Sequence, residues 1–442
     1  MADEGKEFQG IDWRRTFASL EILRSFRMAI HPASLLLCFV GLGATLGLGM
    51  LIDQIPGVGG TEVHGKRFFE NVKDIATLTL WGNWAMPYVG GRTWEDFSGF
   101  VMGPVAAARD GVLLVCAYWD RGWPARGFVL IYGVLLLALW ALIGGAVTRM
   151  AAVRVAREES VPLKKAVCFS TRKWLSTVTS PLIPFGVLVL LGILIGAPTG
   201  LFLLIPYVGE WVVGVLFGLT LLAGFVLALI FVGGTFSLGL QWPTIAAEGS
   251  DSFDAISRSI SYISSRPWKY LFYTIFATLY GCLTFIFVKF VTFLTLRITH
   301  DAVSTFCFRG SGVIDDKLER LWQLPAHLSS VTPEPGIEFY YSEAWATYLF
   351  LFWVWVVLLV AIAFLVSFFF TSQTVIYFLL RKTVDATDIE EVYMEESEEE
   401  ELPIEHPVEG SAAAGGEPAR PKPPEKPGGG PAEEPPPTET AT

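Results

Sequence analysis

Residues 211–238 read WVVGVLFGLTLLAGFVLALIFVGGTFSL, and this run contains no charged side chain. A helix needs about 20 apolar residues to cross the hydrocarbon core of a bilayer, which is about 30 Å thick. The run is long enough to cross that core at a tilt. It therefore predicts a transmembrane helix. We accordingly interpret the rest of the chain as part of a membrane protein.

Five more apolar runs of similar size occur along the chain. They are Ser34–Ile52, Gly127–Val147, Pro181–Pro198, Tyr270–Leu296 and Trp345–Leu380. Only the linker TGLFLLIPYVGE separates the run at 181–198 from the one at 211–238, which predicts a tight hairpin. The chain is 52% apolar and 17% charged, whereas soluble domains have about 25% charged residues. We predict an all-α integral membrane protein with six transmembrane helices.

The C-terminal end of the chain differs in charge from the rest. Thr383–Thr442 holds seventeen acidic and three basic residues, a net charge of −14, so the remaining 382 residues carry +3 of the overall −11. Its acidic run is followed by sequence rich in alanine, glycine and proline, with little apolar surface to bury. We therefore predict a membrane domain over 1–382 and a disordered tail over 383–442. The acidic run is either a binding segment for a basic cytoplasmic protein or, more simply, a solvated tail.

Basic residues near the ends of membrane helices mark the cytoplasmic side. Seven lie in the segment from Arg149 to Lys173, and Arg14, Arg15, Arg24 and Arg27 precede the first apolar run. Both termini are therefore predicted to be cytoplasmic, and the long connections 53–126 and 297–344 to face outward. The start of the chain is too long and polar for a removable signal peptide. The expected location is the inner membrane of a bacterium, with the first helix as the anchor.

An internal repeat supports a modular organisation. The segment from Gly144 overlays the segment from Gly233 without gaps, at an offset of 89 residues. The identities over 27 positions are Gly144, Gly145, Glu159, Ala166 and Ser170 with Gly233, Gly234, Glu248, Ala255 and Ser259. Common ancestry and convergence of interfacial linkers both explain such a match.

Three times, an amphipathic stretch leads through a proline into an outward helix; the prolines are Pro32, Pro181 and Pro267. Proline lacks an amide proton and disfavours helical geometry in the preceding residue, so it suits a break between an interfacial and a transmembrane helix. In the third unit, Phe253, Ile256 and Ile260 share a helix face, after an N-cap at Ser250 or Asp251. We predict three hairpins, at about 11–150, 151–240 and 241–382, each preceded by an amphipathic interfacial helix.

The stretches EGSDSFDAISRSISYISSRPWKYLFY and TVIYFLLRKTVDATDIEE resemble an uncharacterised family of bacterial multi-pass membrane proteins. More remotely, the chain is similar to the membrane domain that accompanies some glycerophosphodiester phosphodiesterases. The residues that carry this similarity are Ala255, Arg258, Ser259, Pro267 and Trp268. The resemblance implies a membrane location without a chemistry, because no phosphodiesterase catalytic domain is present in the sequence.

The search for catalytic chemistry gives no candidate. The five histidines are scattered, and the sequence contains neither a metal-binding His or Cys spacing nor a nucleophile elbow, phosphate loop or dinucleotide fingerprint. We nominate no catalytic, cofactor-binding or metal-binding residue. A lipid enzyme would need polar residues that converge at one interface, and His31, His300 and Lys289 lie far apart in the sequence.

Ionisable residues inside membrane helices are costly and usually functional. Lys289, in the fifth apolar run, is the exception in six nearly uncharged runs. We expect its side chain to snorkel to the outer interface, with a contact to substrate or lipid headgroup as the alternative. The lack of acidic relays argues against ion-driven transport, although a facilitator lined by hydroxyl and backbone groups escapes this argument.

Small residues, tryptophans and cysteines give three smaller predictions. The glycines of GLGATLGLG (Gly41, Gly43, Gly47 and Gly49), together with Gly214 and Gly218, are expected to pack helices within the chain rather than between copies. The first outer connection, with Trp81, Trp84, Trp94, Trp119 and Trp123, is expected to fold back onto the membrane surface. Cys116 and Cys307 are the cysteines placed outside, where a disulfide is permitted; packing of Cys116 in an apolar segment is the alternative.

Two classes of function remain. The first is a non-enzymatic membrane scaffold or accessory subunit whose partners are membrane lipids and a cytoplasmic protein; no cofactor or nucleic acid is indicated. The second is a permease or facilitator for a lipid-like or small neutral solute. A polar cavity between the hairpins would favour transport, and a solid bundle would favour the scaffold.

Overall fold

The computed structural model describes residues 18–54, 67–75, 101–306, 318, 322, 341–388 and 390–393. Within these ranges every regular element is a helix and no strand is present. The predicted tail beyond Tyr393 lies outside the described residues, as do Trp81, Trp84, Trp94 and Cys307.

After a 3₁₀ turn at Ala18–Leu23, the described helices are α1 (Arg24–Ala29), α2 (Pro32–Asp53), α3 (Phe68–Asp74), α4 (Gly103–Trp119), α5 (Trp123–Arg157), α6 (Leu163–Arg172), α7 (Trp174–Leu203), α8 (Val208–Glu248), α9 (Ser252–Ser265), α10 (Pro267–Phe306) and α11 (Tyr341–Val384). Six of them, α2, α5, α7, α8, α10 and α11, are long and apolar enough to cross a membrane. The predicted class, a multi-pass helical membrane protein, is confirmed.

Helices α5, α8 and α11 each exceed the thickness of a bilayer core, which is about 30 Å. Helices α5, α8 and α11 have 35, 41 and 44 residues, which at 1.5 Å per residue correspond to about 50–65 Å. The C-terminal ends of these three helices lie together, and Ala156, Ala247 and Leu380 share one buried cluster there. The same end of the bundle contains α1, α6, α9 and the starts of α2, α7 and α10. We call this end of the bundle the junction end.

Helix α11 is the central element. It packs against α2, α5, α8 and α10. Phe370 on α11 stacks between Trp140 of α5 and Trp242 of α8, with ring centroids 6.1 and 5.5 Å away. Gly144 lies beneath this stack, where a Cβ would fall 2.5 Å from the Trp242 ring. The missing side chain is therefore what allows α5 to approach both aromatic rings.

The tight hairpin between α7 and α8 is confirmed, with its turn at 204–207. A Cβ on Gly209 would lie 1.8 Å from the Phe202 carbonyl oxygen, so glycine is required where the two helices meet. The most apolar stretch of α7 is 11% buried and that of α8 is 0% buried. This hairpin therefore touches the other helices mainly near the junction end, and the rest of its surface is apolar and uncovered by the described residues.

A surface element precedes α2, α7 and α10, as predicted for three hairpins. Helices α2 and α10 begin at Pro32 and Pro267, which confirms those two breaks. The third break was predicted wrongly, because α7 begins at Trp174 and continues through Pro181. Proline leaves the carbonyl of the residue four positions earlier without its usual donor. That carbonyl, on Thr177, accepts the indole N–H of Trp242 at 3.0 Å, which compensates for the loss.

Helix α9 begins after Asp251, which occupies the N-cap position without a side-chain hydrogen bond. Phe253 and Ile260 point away from the bundle, and they are 72% and 38% exposed. The opposite face buries Ala255, Ser259 and Tyr262. The predicted amphipathic helix is present, and its bundle-facing surface consists of small and polar residues, which allow close approach to α8.

The long connection 53–126 contains a 17-residue helix, α4, where the sequence predicted a loop. Its Tyr118 packs edge-on against Phe68 of α3, with ring centroids 5.1 Å apart. Trp119 and Trp123 flank Arg126, whose guanidinium lies 5.6 and 5.2 Å from their rings.

The packing prediction for the glycines is confirmed at one position. A Cβ on Gly41 would lie 2.9 Å from Ile143, so α2 approaches α5 closely there. At Gly43, Gly47, Gly214 and Gly218 a Cβ would meet nothing within 4 Å. The prediction is therefore wrong for these four, because the helix faces that carry them are not interhelical.

Candidate functional site

The C-terminal end of α8 is the most elaborately bonded point among the described residues. The last carbonyls of a helix have no partner within it and must find one elsewhere. The Gly249 amide, in a left-handed conformation at φ +63°, caps Ile245. Lys173 Nζ donates to the Gly249 carbonyl at 2.6 Å, and the Tyr393 amide donates to the Ala247 carbonyl at 2.8 Å.

Arg149 of α5 binds another of these carbonyls, that of Ala246, through Nη1 at 2.8 Å. The side chain is completely buried, and its guanidinium lies 4.4 Å from the centroid of the Phe169 ring of α6. A cation near the C-terminal end of a helix is also favoured by the helix dipole. Arg149, which sequence analysis used only to set the orientation, therefore joins α5, α6 and α8.

Glu248, the last residue of α8, is the centre of a group that we call the Glu248 cluster: Glu248, Arg258, Tyr377 and Arg381. Arg258 Nη1 lies 2.7 Å from Oε2, close enough for an ion pair although the two groups are not aligned as a hydrogen bond. Arg381 Nε lies 3.6 Å from Oε1, and the Tyr377 hydroxyl donates to the same oxygen. The carboxylate is 9% exposed, so its charge is compensated by α9 and α11 rather than by water.

The chain beyond α11 folds back over this cluster. The Tyr262 hydroxyl of α9 donates to Asp385, and Arg381 Nη1 donates to the Glu391 carbonyl at 2.7 Å. The ring of Tyr393 covers Gly249, where a Cβ would lie 2.7 Å from it. Residues up to Tyr393 are therefore part of the junction end.

The local electrostatics agree with these contacts. The Asp254 hydrogen bond raises the pKa of Arg258 against the opposing effect of burial, and Glu248 and Asp254 add to the rise. Burial, followed by the hydrogen bond to Asp385, raises the pKa of Tyr262. Arg258 thus stays charged and Tyr262 stays protonated and able to donate.

A surface cavity of about 210 Å³ opens at the junction end, beside α5 and α11. Arg24 bridges its rim, with Nη1 3.0 Å from Glu21 and Nη2 in contact with Glu158. The remaining lining residues are Val155, Ala156, Val375, Phe378, Leu379 and Glu390. The cavity lies at the surface, and it is not the polar passage between hairpins that would favour transport.

The structure does not bring His31, Lys289 and His300 together. His31 lies at the junction end, before α2. Lys289 and His300 are eleven residues apart on α10, which corresponds to about 16 Å. His300 instead packs edge-on against Trp322, with ring centroids 5.2 Å apart.

Lys289 is 2% exposed, with Nζ 5.1 Å from the centroid of the Phe285 ring. The predicted snorkelling is therefore wrong. Lys289, Thr292 and Leu296 follow Phe285 at spacings of four, three and four, so they lie on one buried face of α10. Since α10 packs against α11, Lys289 is enclosed by protein rather than directed to an interface.

Cys116 is exposed on α4. Its proposed partner, Cys307, lies outside the described residues, so the disulfide stays a prediction. Among the described residues, no group of three His, Cys, Asp or Glu side chains is arranged to hold a metal ion.

The repeated segments adopt the same local architecture. In each, a long helix is followed by a short surface helix with a fully buried alanine, Ala166 or Ala255. Ser170 donates to the Leu142 carbonyl of α5, and Ser259 lies 3.4 Å from the Thr244 hydroxyl of α8. Both serines therefore bind the preceding long helix.

The Glu248 cluster was not predicted from the sequence. One signal was available, since Glu248 is among the identities of the repeat, but its equivalent Glu159 is exposed. Among known proteins, no family model, curated protein or solved structure matches the chain.

Proposed function

We propose that this protein is a non-enzymatic membrane scaffold or accessory subunit. The observation that supports the proposal is that polar residues at the junction end bind other parts of the protein. Arg149, Lys173 and the Glu248 cluster are engaged in capping a helix end and in joining helices. Such contacts support rigidity, and they leave these side chains bonded to protein rather than presented to a solute.

The α7–α8 hairpin supports the same proposal. Leu194 on α7 is 66% exposed and Leu222 on α8 is 60% exposed, and similar residues surround both helices. A hairpin held at one end and apolar on its remaining surface is suited to contact lipid or the membrane helices of a partner subunit. In the proposed setting, the inner membrane of a bacterium, the basic junction end faces the cytoplasm.

Purified full-length protein in liposomes tests the proposal. We expect the efflux of glycerol and urea, and the flipping of fluorescent phospholipid, to match those of protein-free liposomes. The same amount of Glu248→Gln protein serves as a control, because it shows how much leakage results from loosened packing alone. Solute or lipid movement that rises with the amount of wild-type protein would contradict the scaffold and favour a facilitator.

A further inference from the structure

Three cationic or potentially cationic residues converge where α1 and α2 meet α5. Met28 of α1 shares a buried cluster with Ala152 and Ala156 of α5, and Ala33 of α2 packs with Met150. Helix α2 therefore runs along α5 and starts near its C-terminal part, whereas α1 packs mainly against α11 and joins the same buried cluster. This arrangement places Arg27 and His31 beside Arg154, and their charges act on one another.

No carboxylate neutralises this group among the described residues. Glu21, which precedes α1, and Glu158, which follows α5, are both bound to Arg24. Neither Arg27 nor Arg154 forms an ion pair within the described part of the chain, and His31 Nδ1 is buried without a hydrogen-bond partner. Arg154 is half-buried and Arg27 exposed, so the group is open to a ligand from one side.

Like charges held together in a folded protein are stabilised by a counter-ion. The α2 helix starts at the same point with proline at its first position and no side-chain cap, so its positive dipole end adds to the local field. Arginine is well suited to bind phosphate through several parallel N–H donors. The chemistry that fits this group is therefore a phosphate anion.

We propose that Arg27, Arg154 and His31 form a phosphate-binding site at the junction end. The anion is supplied either by the headgroup of an acidic phospholipid or by free phosphate. The site is separate from the Glu248 cluster and does not depend on the proposed scaffold function.

The test uses full-length protein in detergent, with phosphatidylglycerol, phosphatidylcholine or inorganic phosphate as the probe. Arg27→Gln and Arg154→Gln are compared with Arg266→Gln, which removes an exposed cation from the equivalent position before α10. We expect each of the first two variants to weaken phosphatidylglycerol binding about fivefold, and the control variant to change it less than twofold. Stabilisation by inorganic phosphate as well would identify free phosphate as a ligand; stabilisation by phosphatidylglycerol alone would identify the lipid headgroup.

A second readout separates a binding site from a structural role. Without any phosphate or lipid added, Arg154→Gln removes repulsion and should raise the midpoint of thermal unfolding. A structural arginine would give the opposite sign. Unchanged phosphatidylglycerol binding by Arg27→Gln and Arg154→Gln, or a lowered midpoint for ligand-free Arg154→Gln, would overturn the proposal.

Discussion

At Glu248, one carboxylate contacts two arginines and a tyrosine from two other helices. Arg381 is 12% exposed and Arg258 45%, so the two cations differ in how readily water can replace the carboxylate. Removing one partner of a buried ion pair is costly chiefly because the other charge is left without compensation. Glu248 therefore stabilises the junction end because its negative charge compensates the positive charge of Arg381, which is largely buried on α11.

Glu248→Gln should lower the free energy of unfolding by about 3 kcal/mol, the lower end of the range for a broken buried pair, because Arg258 can turn to water. Titration of each variant with a denaturing detergent measures this free energy of unfolding. Asp254→Asn is the matched control, since Asp254 binds the same arginine at 44% exposure; an exposed pair contributes about 0.2–1 kcal/mol. Equal losses of stability in the two variants would contradict the conclusion that the buried Glu248 contributes more than an exposed ion pair.

His31 should titrate below its ordinary pKa of 6.5, because burial and the charge of Arg154 oppose its protonation. Since the unfolded chain binds this proton more readily, stability should be complete above pH 6.5 and should fall as the pH drops below it. Histidine-labelled NMR in detergent, with His31→Gln to assign the signal, measures the pKa. Arg154→Gln should raise it toward 6.5, and no change would show that the two side chains are not coupled.

At the scale of elements, the spacing of helices depends on where glycine and proline meet side chains of neighbouring helices. Gly144 lies beneath the aromatic stack, whereas Gly218 meets no atom within 4 Å of a Cβ position. Pro181 continues inside α7 because Trp242 of α8 binds the Thr177 carbonyl. Sequence spacing alone does not distinguish such positions, because the partner side chain comes from another helix.

Gly144→Ala should destabilise the protein by about 1–3 kcal/mol, because the new methyl group displaces the rings of Trp242 and Phe370. Gly218→Ala should leave stability unchanged or raise it by up to about 1 kcal/mol, since alanine favours helix over glycine. Thermal unfolding of both variants in one detergent measures the difference. A tolerated Gly144→Ala would mean that the aromatic stack can move without cost.

At the scale of the whole molecule, two exposed turns report on opposite ends of the bundle. Ser160 lies between α5 and α6 at the junction end, and Asp120 lies between α4 and α5 at the other end. The proposed orientation, with the junction end in the cytoplasm, is based on the basic residues of that end.

Labelling of intact cells with an impermeant maleimide should therefore modify Asp120→Cys and spare Ser160→Cys, in a background without native cysteines. Permeabilised cells, in which both variants should react, provide the control for accessibility. Modification of Ser160→Cys in intact cells would reverse the proposed orientation and would place the proposed phosphate-binding site on the outer side.

The sequence by itself determined the class of protein, the six spans, the α7–α8 hairpin and two of the three proline breaks. These depend on local properties: the length of an apolar run and the absence of an amide proton. The tertiary structure decided the burial of Lys289, the continuation of α7 through Pro181 and the Glu248 cluster. Each of these depends on which side chain of a distant helix arrives at the position, because a buried charge or an unpaired carbonyl is stable only with a partner.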